Sequence, residues 1–73
     1  MAKQRLVICL ENSGFEASLE RRKIYVALAD AAAARRGLLK VIDESGDSYL
    51  YPESMFVTAS FPAAVRRAVL HAV

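Results

Sequence analysis

The stretch "LLKVIDESGDSYLYPESMFV", Leu38 to Val57, decides the fold. Two runs rich in β-branched and aromatic residues, "GLLKVID" and "SYLY", flank a turn at Glu44-Ser45-Gly46-Asp47. Gly46 supplies the positive φ of a tight hairpin, and the flanking Ser and Asp residues suit the same turn. Apolar residues alternate on either side, so the stretch reads as two antiparallel strands. Pro52 carries no N–H and must end the second strand or lie on a sheet edge. "ESM" then reads as one helical turn, and "FVTA" as a brief further strand.

Upstream, "KQRLVICL" (Lys3–Leu10) is a compact apolar run closed by the polar cluster "ENSG", the pattern of a first strand. "ENSGFEASLE" (Glu11–Glu20) has no sustained period and reads as a long loop, with Phe15 and Leu19 pinned back onto the body. "RRKIYVAL" (Arg21–Leu28) resumes the alternation. Ile24, Val26 and Leu28 share one face, and Lys23, Tyr25 and Ala27 the other. "ADAAAARRG" follows, with Asp30 as N-cap, an alanine-rich turn or two of helix, and Gly37 in the left-handed position beyond it. Downstream, Pro62 suits the first position of a helix in which Val65, Ala68, Val69 and Ala72 form one apolar stripe.

Five short strands leave no room for parallel crossovers. The expected fold is mainly β: a five-stranded antiparallel small barrel, a short helical insertion, and a C-terminal helix packed on one open end or edge. Residues 1–73 form a single domain, with the barrel over about 3–59 and the C-terminal helix over about 62–72.

The order of strand, long loop, strand, connection and tight hairpin, followed by "YPESMFV", resembles the Src-homology-3-like barrel. In that fold a proline ends the fourth strand, one helical turn follows, and an aromatic-valine pair opens the fifth. Pro52, Phe56 and Val57 take those places here. "SLERRKIYVAL" and "LKVIDESGDSYLYPESMF" also look like short bacterial and phage proteins of this barrel type. That resemblance covers roughly residues 3–58 and implies a fold without implying an activity. The chain has no tryptophan, and its first strand lacks the aromatic-rich signature of the peptide-binding members.

The 73 residues carry ten basic and eight acidic side chains, a net charge of +2, which lacks the clustered excess of a dedicated nucleic-acid binder. Hydrophobic residues make up 55% of the chain, too many for a disordered segment. Much of that share is alanine, so the core is thin and self-association into a homodimer is a natural supplement. A single cysteine, Cys9, excludes an internal disulfide and favours a reducing compartment. The start "MAKQRLVICLENSGF" has a basic beginning, but its apolar run Leu6–Leu10 is too short for a signal h-region. No membrane span is expected, and the location expected is a bacterial or phage-infected cytoplasm.

Catalytic chemistry finds no support in the residue pattern. His71, the single histidine, has no nearby serine or cysteine in sequence, and Cys9 sits inside an apolar strand. One Cys and one His cannot make a structural zinc site, "DESGD" matches no established cation loop, and Gly14, Gly37 and Gly46 form no phosphate loop. Neither cofactor nor metal is expected. Two binding patterns stand out. Tyr49 and Tyr51 share one face of the fourth strand and Tyr25 lies on the tyrosine-bearing face of the second. If the leucine-bearing faces form the core, Phe15, Tyr25, Tyr49 and Tyr51 line an outer surface for a protein partner. The alternative is a nucleic-acid contact through Arg21, Arg22, Lys23, Arg35 and Arg36, which bring phosphate-binding charge if the fold draws them together. The expectation is a non-enzymatic binding or accessory module, with the aromatic surface as its working face.

Overall fold

A computed structural model describes residues 4–71 of the chain. Strand β1 (Gln4–Cys9) leads through a long loop to β2 (Ile24–Leu28), helix α1 (Ala31–Arg35) and β3 (Leu38–Ile42). Strand β4 (Ser48–Pro52), a single 3₁₀ turn (Glu53–Met55), β5 (Phe56–Thr58) and helix α2 (Ala63–Leu70) complete the order.

The strands form one antiparallel sheet in the order β4-β3-β2-β1-β5. The hairpin read from the sequence closes as expected: Leu38 faces Pro52, Val41 faces Tyr49, and Ile42 faces Ser48. Gly46 turns the corner at φ 86°. Pro52 ends β4 without costing a ladder bond, because it falls at a pair that exchanges none. The bonds lie on either side, from Glu53 N–H to Gly37 O and from Asp43 N–H to Asp47 O. Strands β4 and β5 are the two edges and the sheet is open.

Helix α1 starts where Asp30 caps it, the carboxylate accepting from Ala33 N–H at 3.0 Å. It stops at Gly37, whose φ of 70° no side chain adopts at ease. Helix α2 starts one residue later than expected, with Pro62 as its N-cap instead of its first residue, and none of its residues is buried, so the expected packing onto the body is not seen. Val65 is exposed and Val69 half-buried, while Ala72 of the expected stripe lies outside the described residues.

Register assigns every side chain to one of two faces. Val7, Cys9, Tyr25, Ala27, Leu39, Val41 and Tyr51 meet on the inner face, where Leu19 of the long loop closes over them and Phe56 packs alongside. The leucine-bearing faces of β2 and β4 are therefore not the core. Ile24, Val26 and Leu28 lie half-buried on the outer face, and Leu50 is 44% exposed.

Candidate functional site

The inner face is sealed at one end by the hairpin turn. Tyr51 is 4% exposed, its ring edge-on to Phe15 at 5.0 Å and packed at 6.2 Å from Phe56. Its hydroxyl donates to Asp43 Oδ2 at 2.6 Å and lies 2.9 Å from the Ser18 hydroxyl. Asp43 is itself buried, and its other oxygen accepts from the Ser45 hydroxyl and amide. Tyr25 is 5% exposed, donates to Glu44 Oε2 at 2.6 Å, and accepts from Glu20 N–H at 2.7 Å. Lys23 Nζ reaches the same Glu44 oxygen at 2.6 Å and Glu20 at 3.4 Å. A tyrosine suits this place because its ring fills the core while its hydroxyl reaches polar groups at the rim.

These contacts set the charges. Burial works against the Asp43 carboxylate, yet the Ser45 hydroxyl, the Tyr51 hydroxyl and the Ser45 amide outweigh it and hold the carboxyl below its ordinary range. Lys23 first and Tyr25 second hold Glu44 down in the same way. Burial, then the facing carboxylate, pushes both phenols up. No buried side-chain polar atom among the described residues lacks a partner. The buried polar groups here are committed to one another, and the assembly ties the long loop to the hairpin.

The four aromatic residues proposed as one surface are thus divided. Tyr25 and Tyr51 are core, Phe15 is a partly exposed edge of that core, and only Tyr49, 54% exposed, stands open. Sequence alternation placed the tyrosines together but left open which face is the core, since both faces of the sheet are apolar. The acidic turn supplies the partners that make the tyrosine face the inside.

The outer face is the unusual surface. Across the strands it presents the rows Val57–Ile8–Ile24, Leu6–Val26–Ile42–Ser48 and Gln4–Leu28–Lys40–Leu50. Antiparallel sheets commonly turn a polar face outward. Here Leu6 is buried, most of the other aliphatics are half-buried, and Leu50 and Val57 are each 44% exposed.

The basic groups do not converge. Arg21, Arg22 and Lys23 precede β2, whereas Arg35 ends α1 and Arg36 caps it, beyond the other end of β2. A strand of that length separates them by about 15 Å. Lys23 is bound by two carboxylates, and Arg21 Nε donates to Leu10 O at 3.4 Å. Arg22 holds a left-handed φ of 67°, with its amide donating to Cys9 O.

At the Arg35 end a cleft of about 410 Å³ opens between α1 and the sheet. Its charged lining is balanced: Arg5 and Lys40 against Asp30 and Glu53. No histidine, cysteine, serine or tyrosine lines it. Cys9 is buried, its Sγ directed at Glu11 O at 3.2 Å, and burial pushes its thiol up. His71 is exposed at the end of α2. Among the described residues no cluster of three or more His, Cys, Asp or Glu is placed to hold a metal, and no helix is long and apolar enough to cross a membrane.

Comparison of the chain with protein-family models, with curated proteins and with solved structures finds no match in any of the three.

Proposed function

We propose that the chain is a non-enzymatic protein-binding module that works through the outer face of its sheet. The partner presents an uncharged aliphatic surface. One observation carries this reading: the face opposite the core is a field of aliphatic side chains, from Val57 and Ile8 to Ile42 and Leu50, where a polar surface is the rule. Lys40 is the lone charge in those rows. The aromatic contribution shrinks to Tyr49 and Phe15. Strand order, Pro52, the 3₁₀ turn and the Phe56-Val57 opening of β5 support a Src-homology-3-like curl of the sheet.

The arginine alternative is the weaker reading, because its two groups lie at opposite ends of β2 and Lys23 is neutralised. A pull-down with the purified chain separates the two. Val57→Glu combined with Ile24→Glu places charge in the outer row farthest from β4, and melting is measured alongside. The proposal expects a captured protein that survives high salt and is lost in the double variant at unchanged melting temperature. Capture that survives the double variant, or that salt abolishes, contradicts it.

A further inference from the structure

Strand β4 is an edge with its backbone free. The ladder bonds at Asp43–Asp47 and Gly37–Glu53 fix the parity of the hairpin, so Tyr49 and Tyr51 bond inward to β3. Ser48 and Leu50 therefore point their N–H and C=O groups away from the sheet. Among the described residues nothing bonds to them there. Natural edges are blunted by charge, proline, bulges or brevity, and the proline of β4 comes only at its last residue, Pro52. Strand β5, the opposite edge, is three residues long. Strand β4 is longer, "SYLYP", and has no charged residue between Asp47 and Glu53. It is also preorganised, because Tyr51 is anchored to Asp43 and Ser18.

We infer that this edge pairs with β4 of a second copy of the chain, in an antiparallel register whose two-fold axis passes between the two Tyr49 residues. The strand is its own complement in that register. Ser48 of each copy exchanges both backbone bonds with Leu50 of the other. The Tyr49 rings, each 54% exposed, meet as a close non-bonded pair on the inner-face side. Asp47 then lies opposite Tyr51 of the other copy. A register centred on Leu50 sets Asp47 against Glu53 at both ends, and like charges placed opposite one another exclude it. The Tyr49-centred pairing joins two sheets into one and continues the aliphatic outer face across the axis, so it enlarges the partner surface proposed above. It rests on the edge backbone and stands or falls separately from that surface.

Sedimentation of the full chain over a concentration series tests it. The wild type is expected to pass from monomer to dimer below roughly 1 mM. Leu50→Pro removes the outward N–H without touching the β3 ladder, and is expected to weaken the dimer at least about tenfold. Tyr49→Lys and Tyr49→Glu each put like charges on the axis and should be monomeric alone. Mixed in equal amounts, they should recover a heterodimer. That recovery reads the register directly and does not depend on whether the proline variant folds. A wild type monomeric throughout the series, or a dimer whose charge variants show no mutual rescue, overturns the inference. So does an edge that accepts only an extended segment of another protein.

Discussion

The inner and outer faces of this sheet have nearly the same appetite for burial and opposite fates. Inside, aromatic rings and small aliphatics meet under Leu19, with the Tyr25 and Tyr51 hydroxyls tied to carboxylates of the hairpin. Outside, larger aliphatics stand in rows, Leu6 covered but most of the others only half-buried, and helix α2 buries none of its own residues. The face with more polar atoms became the core. Hydrophobicity alone does not choose between two apolar faces. The choice falls to whichever face the long loop can close over while leaving no donor or acceptor unsatisfied.

Substitutions on the two faces should separate sharply. Tyr51→Ala leaves a cavity and a buried carboxylate deprived of its donor, and is expected to cost about 3–5 kcal/mol. A domain of this length holds roughly 4–11 kcal/mol in all, so denaturant unfolding should find the variant partly or wholly unfolded. Tyr51→Phe keeps the ring and strips only the hydroxyl. It should cost about 1–3 kcal/mol, because Asp43 stays buried with one partner fewer.

Acid probes the same seam. In the folded chain Asp43 and Glu44 lie below their ordinary values of 3.8 and 4.5, so in that range the unfolded chain binds more protons. Their stabilisation is fully present above about pH 4.5 and is lost as the pH falls through the depressed folded values. Tyr25 and Tyr51 run the other way. With folded values above the ordinary 10.0, their contribution is complete below pH 10.0 and is lost as the pH rises beyond it. Melting temperatures measured across pH should fall at both ends, and Tyr51→Phe should flatten both slopes.

Smaller effects complete the contrast. Arg22→Gly should stabilise by about 1 kcal/mol, since glycine takes the φ of 67° without steric conflict. Leu50→Ser, on the outer face, should stay within about 0.5 kcal/mol of wild type. A cost for Leu50→Ser as large as that of Tyr51→Phe would erase the difference between the faces.

The sequence revealed what is local and concealed what is not. The Gly46 turn, the stop at Pro52, the Asp30 cap and the Pro62 start each depend on neighbours a few residues away, and each is in place, the last to within one residue. The pinning of Leu19, and of Phe15 beside Tyr51, follows from a loop with apolar residues and nowhere else to bury them. The choice of face was hidden because it rests on bonds between residues distant in sequence, Tyr25 with Glu44 and Ser18 with Tyr51. One signal was available. Two acids at a turn, with tyrosines on the adjoining strand, can satisfy hydroxyls at a core rim as readily as they can face water. The failure of α2 to bury its stripe had no such signal, since an amphipathic helix of this kind docks or waits with the same pattern.

Hydroxyl-radical footprinting of the folded chain, read residue by residue, tests the face assignment most directly. Tyr49, Leu50 and Val57 should label rapidly, Ile24 and Val26 at intermediate rates, and Tyr25, Tyr51 and Val41 scarcely at all. Rapid labelling of Tyr25 and Tyr51, with Ile24 and Val26 protected, would show that the sheet buries the opposite face and would contradict the account.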